Sequence, residues 1–168
     1  MTVTAYAPDA QLTAGNTLIG VAPAIAVLAS PTVAELTAST MIQCATEAFG
    51  SSTATTKRTR KMICDLVGTE ALANRTYSMD DLIVMLGNPQ DANGILDLLV
   101  QDSTLWFWVR PGTADTEAIA AADKVEVIEA TIDAVDLRTI STADGDEFAA
   151  VVKVSVSDRT QLFGTVTA

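Results

Sequence analysis

The chain has no histidine, and that absence excludes more chemistry than any other feature of the sequence. It removes the commonest general base and the commonest metal ligand. Ser-His-Asp and Cys-His nucleophile arrangements go with it. Only two cysteines occur, Cys44 and Cys64. They are too few for a disulfide scaffold, and a zinc site needs more ligands. Both fall in segments that read as strands, and the expectation is two buried free thiols in a reducing cytosol. No glycine-rich phosphate loop is present. The acidic run Asp144-Gly-Asp-Glu147 lacks the ligand spacing of a calcium loop and reads as a solvated turn. No catalytic residue, metal site or cofactor is expected.

Aromatic residues make up only 5% of the chain, against 49% hydrophobic residues overall. Much of the apolar content is alanine and valine. A core of small and β-branched side chains favours a mainly β domain. Long apolar runs are also missing. The most apolar stretch, residues 18–29, contains Gly20 and Pro23 and is about a dozen residues long, where a membrane span needs ~20. The residues before it carry Asp9 and no Lys or Arg, so they lack the positive start of a signal peptide. No membrane association is expected, and the protein reads as made inside a cell and kept there at first. With 168 residues the chain fits one domain.

Basic residues are scarce, 10 against 21 acidic ones, for a net charge of −11. The deficit is uneven. Residues 113–168 hold 11 acidic and 4 basic residues (4 − 11 = −7), and residues 1–112 hold 10 and 6 (6 − 10 = −4). Such a surface repels nucleic-acid phosphates. Against this background stand Lys57, Arg58, Arg60 and Lys61. Strand alternation places Arg58 and Arg60 on one face, and Lys57 and Lys61 on the other. A strand charged on both faces does not belong in a core. It is a projecting hairpin arm, or a strand laid against an acidic partner. No aromatics interleave the charges, so a nucleic-acid patch is poorly supported. The favoured reading is a basic arm that docks on an acidic face of another copy, and heterologous contacts of that kind generate rings and filaments.

The best-defined stretch is NPQDANGILDLLVQDSTLWFWVRPG, residues 88–112. Asn88-Pro89 marks a turn and Asp91 can cap a helix. The apolar spacing, with Ile95 and Leu99 at i, i+4, predicts one α-helix over about residues 92–102, packed as a lid on a sheet. The aromatic strand Leu105-Trp-Phe-Trp-Val109 follows, and Arg110-Pro-Gly112 ends it. Ile95, Leu99, Trp106 and Trp108 are expected in the core as scaffold.

Elsewhere the patterns are mainly those of strands. Residues 1–30 read as an N-terminal arm with a first strand, buried in the core or against a neighbouring subunit. Residues 31–36 are short and extended, or one helical turn. Residues 41–45 read as a strand, 47–56 as a long Ser/Thr-rich hairpin loop, and 74–86 as a further strand. Residues 124–136 form a long strand with Ile128, Ala130, Ile132 and Ala134 on one face, and Glu129, Thr131 and Asp133 on the other. Residues 143–146 make a tight hairpin turn. The returning strand, 148–157, turns Val152, Val154 and Val156 inward and Lys153 and Ser155 outward. A last short strand covers 162–166.

The ordered set of segments resembles the major tail tube proteins of long-tailed, non-contractile (siphovirus-type) bacteriophages. The resemblance runs through PTVAEL, the basic strand ending at Cys64-Asp65, NRTYSMDDLIVMLGNPQD, the stretch ending Val109-Arg-Pro-Gly112, DKVEVIEA, and the closing hairpin through ADGDEFAAVVKV. It implies a β-sandwich or barrel with a flanking helix, a long inter-subunit loop and an N-terminal arm. It implies six copies in a ring, with rings stacked into a tube around a tape-measure protein and bounded by tail-tip and terminator proteins. The tube later conducts genomic DNA through its lumen. An acidic lumen would let DNA slide without sticking. On this reading Glu129, Thr131, Asp133, Lys153 and Ser155 face the lumen, and Lys57, Arg58, Arg60 and Lys61 make inter-subunit contacts. The competing placement puts the Glu129 face on the outside of the tube. Two other classes compete with the whole reading. One is a head-decoration or tail-tip binding module with an Ig-like sandwich. The other is a small enzyme working with carboxylates alone.

Overall fold

The computed structural model describes residues 15–60, 69–86, 95–138, 148–160 and 163–168, with the side chains of Arg60 and Thr69 left aside. The expectations for the N-terminal arm up to residue 14, Lys61, Cys64, the Asp91 cap and the turn at 143–146 lie outside the described residues. Nine strands are described: β1 (Thr17–Ala22), β2 (Thr40–Met41), β3 (Ser51–Arg60), β4 (Thr69–Met79), β5 (Leu82–Met85), β6 (Thr104–Pro111), β7 (Lys124–Leu137), β8 (Ala149–Arg159) and β9 (Gly164–Thr165). The main sheet is antiparallel and curled, in the order β2-β1-β6-β7-β8-β5, with β9 added beside β7. Strands β3 and β4 pair only with each other, as a separate hairpin. The expected mainly β sandwich or barrel architecture of the tail tube type is what the chain adopts.

The main sheet is buried on both faces at one end and on one face at the other. Ile19, Val21, Leu105, Phe107, Ile128, Ala130 and Ile132 point to one face, where Ile42, Leu82, Val84, Leu99 and Val152 complete a core. Leu18, Ala22, Trp108, Val125 and Val127 point to the opposite face and meet Ile25, Leu36 and Val166. Successive residues such as Phe107 and Trp108 are thus both fully buried, because alternate side chains leave a strand on opposite sides. The second cluster stops at Val127. Beyond it the same face of β7 carries Glu129, Thr131 and Asp133.

Two irregularities shape β7 and β8. Asp133 is skipped in the pairing between Ile132↔Val154 and Ala134↔Lys153, and Ser157 is skipped between Glu129↔Asp158 and Ala130↔Val156. Each is a bulge, which bends a strand and increases its twist. The extra residue at Asp133 also shifts the inward set by one. Val135, not Ala134, packs against the first core.

The α-helix is not where the apolar spacing predicted it. Among residues 95–102 the chain makes a single 3-10 turn, Ile95–Asp97. Leu99 is buried and Ile95 and Leu98 lean on the core, but Leu96 and Val100 are exposed. Asp102 adopts φ 63°, which reverses the chain into β6. A short isolated helix is marginal without an apolar face to pack, and here only part of that face finds the core.

The α-helix is instead α1, Val33–Thr37. Thr32 and Glu35 form a reciprocal capping box. The Glu35 carboxylate accepts from the Thr32 amide at 2.7 Å and from the distant Ala26 amide at 2.8 Å. These two backbone N–H groups hold its carboxyl below the usual range of 4.5.

Other boundaries moved for local reasons. Of the expected 41–45 strand only Met41 pairs with β1, together with Thr40 just before it. Ile42 then dives into the core, and a turn follows with the Ala45 amide donating to the Ile42 carbonyl. Cys44 sits on that turn, exposed and not buried as expected. The expected loop at 47–56 is strand from Ser51 onward, since Thr-rich sequence pairs well across a ladder. The expected strand at 74–86 is two, β4 and β5, broken at Asp80-Asp81.

Candidate functional site

Two surfaces of different chemistry lie on opposite faces of the main sheet. The first is the polar continuation of β7 and β8. Thr131 pairs with Ser155, Glu129 with Asp158, and Thr104 of β6 with Thr131. The Thr104 and Thr131 hydroxyls lie 3.2 Å apart. Ser155 Oγ donates to Asp133 Oδ2 at 2.7 Å, and Lys153 Nζ donates to Asp136 Oδ2 at 2.8 Å. The Asp136 carboxylate raises the Lys153 ammonium above its ordinary 10.5. Both partners of that pair are more than half exposed, so the pair contributes little to stability. The structure brings Glu129, Thr131, Asp133, Lys153 and Ser155 together on one face. With Asp136 and Asp158, this face sets four carboxylates against one ammonium.

The opposite face carries a cleft of about 690 Å³. Its floor is Thr17 and Ile19 of β1, Val109 of β6 and Glu126 of β7. Its wall is the 43–51 segment, and Asp115 closes one side. Glu126 is held from two directions. Ser51 Oγ donates to it at 2.6 Å, and Arg159 pairs with it at 2.7 Å, both side chains largely shielded from solvent. Gln43 Oε1 and Thr46 Oγ1 are buried in the cleft wall with no hydrogen-bond partner. Buried acceptors are nearly always satisfied, so two orphans in one cleft require an explanation.

The basic segment forms one strand of the β3–β4 hairpin. Most of both faces of this hairpin lie in solvent, and even Leu72 is 52% exposed. It meets the body at its base, through buried Met79 and the Ser51 hydroxyl on Glu126, while the Ser52–Ser78 hydroxyl pair and the Asp80 amide on the Gly50 carbonyl close its own two strands there. Lys57 pairs with Glu70 at 3.1 Å. Arg58 and Arg75 make no ion pair among the described residues. Within one chain the basic strand is half of a projecting hairpin.

The expected scaffold residues divide. Trp108 is fully buried, and its Nε1 donates to Ser39 Oγ at 2.9 Å. Its ring lies on Gly20, where a Cβ would come within 2.6 Å of it. Trp106 is partly buried against the second cluster, and its Nε1 has no partner. Leu99 is core and Ile95 packs on its edge.

Arg110 reads in the sequence as part of a strand end, yet it is a buried anchor. It is 1% exposed. Its guanidinium donates to the Ala114, Glu117 and Ala118 carbonyls and to Asp123 Oδ2, at 2.6 to 3.1 Å. One side chain thus shapes the whole 113–123 loop and places Asp115 at the cleft. The only signal for it was an arginine in an apolar strand ahead of a loop that ends in an aspartate. The cleft itself was not legible either, since its lining comes from five separate segments.

Among the described residues, no group of three or more histidine, cysteine or acidic side chains is placed to hold a metal ion. No helix among them is long and apolar enough to cross a membrane. The chain has no match among curated proteins. A family model described as phage tail tube protein matches residues 4–168. Nearly the whole chain is spanned, so the protein belongs to the phage tail tube family, a structural family of the virion tail.

Proposed function

We propose that six copies close into a ring, that rings stack around a tape-measure protein into the tube of a long-tailed, non-contractile phage, and that the genome leaves through this tube. The observation that carries the reading is the polar face of β6, β7 and β8, with Glu129, Asp133, Asp136 and Asp158 against Lys153 alone. Fixed negative charge along a lumen repels DNA phosphates and removes sticking points from the path. Thr131 and Ser155, already hydrogen-bonded or paired within the sheet, add polarity without cationic contacts. The β2 edge of the main sheet is where a neighbouring copy extends it toward a barrel, which would cover an exposed edge; the outer side of β5 already meets residues 45–47 of its own chain. Lys57, Arg58, Arg60 and Lys61 join one copy to the next. The tube is bounded by tail-tip and terminator proteins, and the subunit waits in the host cytoplasm before assembly.

Negative-stain images of the purified protein test the assembly. Stacked rings are expected, and a compact monomer at high concentration overturns the proposal. The lumen assignment is tested with Asp133→Cys in a Cys44→Ser, Cys64→Ser background, using a bulky maleimide. Labelling is expected in free subunits and lost in tubes. Equal labelling in both puts the face outside.

A further inference from the structure

We infer that residues 43–47 form a strap that shuts the outer edge of β5 in the free subunit. The strap lifts when a second copy joins, and the β5 edge then takes the β2 edge of that copy. This deepens the assembly proposed above and rests on it. A ring made by extending a sheet needs two edges on every copy, one for each neighbour. β2 is one end of the main sheet and β5 is the other. In the single chain these two ends are tied together. Met41 pairs with Gly20 of β1, and Thr46 forms a bridge to Val84 of β5. The chain from Met41 to Thr46 reaches at most roughly 17 Å, at ~3.5 Å per residue. Six strands laid flat at ~4.8 Å spacing would hold β2 and β5 about 24 Å apart. The sheet therefore curls until residues 42–46 close its seam, and no neighbour can pair with β5 while they lie there.

The strap is lightly held. Its ends are fixed, by fully buried Ile42 on one side and on the other by the Gly50 carbonyl, which accepts from the Asp80 amide. Between them every residue from 43 to 49 is partly or largely exposed. Besides the bridge, the strap meets β5 through two bonds. The Glu47 amide donates to the Ile83 carbonyl at 3.3 Å, and the Met85 amide donates to the Ala45 carbonyl at 2.6 Å. The Glu47–Arg138 pair is exposed on both sides, so it adds little. The cleft of about 690 Å³ separates the strap from the floor on β1, β6 and β7. Over that stretch the strap spans a space instead of packing on the sheet. Gln43 Oε1 and Thr46 Oγ1 are shut away from solvent with no hydrogen-bond partner. A buried acceptor without a donor destabilises the state that buries it. Lifting the strap returns both oxygens to water. The Ile83 carbonyl and Met85 amide are then met by backbone groups of the second copy. The exchange replaces like with like in backbone hydrogen bonds and relieves two orphans.

The bridge offers a place for a lock. The two bonds lie on either side of Thr46 and Val84, which makes these a non-hydrogen-bonded pair with Cα atoms about 4.5 Å apart, within reach of a disulfide. Protein carrying Thr46→Cys and Val84→Cys, with Cys44→Ser and Cys64→Ser, is purified, oxidised and checked for the bond by mass. The oxidised protein is expected to stay as free subunits, and the same sample to form tubes in negative stain once reduced. Oxidised protein that forms tubes with the bond intact overturns the strap and leaves the tube reading standing, as does failure of the bond to form. Thr46→Val is an independent arm, and it decides where the reduced double variant does not assemble. It removes one orphan oxygen at nearly constant shape, so it should stabilise the closed strap and raise the concentration at which tubes appear several-fold. An unchanged or lower threshold overturns the strap. Parent protein that never forms tubes overturns both readings together.

Discussion

Gly20→Ala tests whether the two-sided sheet is built as described. Gly20 pairs with Trp108 across β1 and β6. A Cβ at Gly20 would lie 2.6 Å from Cε2 and Cζ2 of the Trp108 ring and 2.7 Å from Nε1. That is about 1 Å inside normal contact between carbon atoms. The ring cannot swing away cheaply. It is fully buried among Leu18, Leu36, Val125 and Val127, and its Nε1 is tied to Ser39. Overpacking of a tight core costs about 1–3 kcal/mol. Losing the Trp108–Ser39 hydrogen bond adds about 1 kcal/mol. The expected loss is roughly 2–4 kcal/mol, or a midpoint lower by roughly 5–15 °C for a domain of this size. Urea unfolding followed by tryptophan fluorescence on unassembled subunits measures it directly. A Gly20→Ala protein within ~0.5 kcal/mol of the parent, the ordinary range for surface changes, would show that the Trp108 ring does not rest on Gly20.

Three further outcomes follow from single contacts. Arg110→Met should destabilise by about 3–5 kcal/mol, the range for removing one partner of a buried pair. Arg110→Lys should recover only part of this in urea unfolding, because an ammonium cannot fork to four acceptors. At Gly164 a Cβ would come within 2.8 Å of the Ala29 carbonyl oxygen, a backbone atom, so Gly164→Ala should detach β9 and speed hydrogen exchange at the Thr165 amide, which donates to that oxygen. Glu35 has a carboxyl held below 4.5 by the Ala26 and Thr32 amides, so its contribution is present above the unfolded value and disappears as pH falls through the folded one. The stability difference between the parent and Glu35→Gln should therefore be full near neutrality and shrink as pH falls below 4.5, as read from unfolding midpoints across that range.

Strand patterns were legible wherever one face is buried and one is wet. β7 and β8 show this, with Ile128, Ala130 and Ile132 inward and Lys153 and Ser155 outward as the alternation predicts. The polar face followed from the same periodicity. Legibility failed at Asp133, where a bulge adds a residue that alternation cannot foresee and moves Val135 into the place expected for Ala134. It failed again at residues 95–102, because i, i+4 spacing reports a possible helix and not whether a groove exists to receive it. The helix at Val33–Thr37 had its signal in plain view, since Thr32 and Glu35 form a capping box around a short apolar segment. Periodicity alone leaves it open between one turn and extended chain, because five residues carry little of it. Arg110 and the cleft depend on contacts between remote segments, which local patterns do not encode.

The exposed hairpin has a consequence for timing. A two-stranded ribbon without an apolar face is marginal in water, and such elements open at the low end of a protein's local stability range. On the proposed assembly through this hairpin, each association step must first hold the ribbon still. The entropy lost in doing so raises the concentration at which tubes nucleate, while growth onto an existing end meets a surface already in place. On that same proposal, free subunits accumulate during synthesis and polymerise once a template offers the first ring.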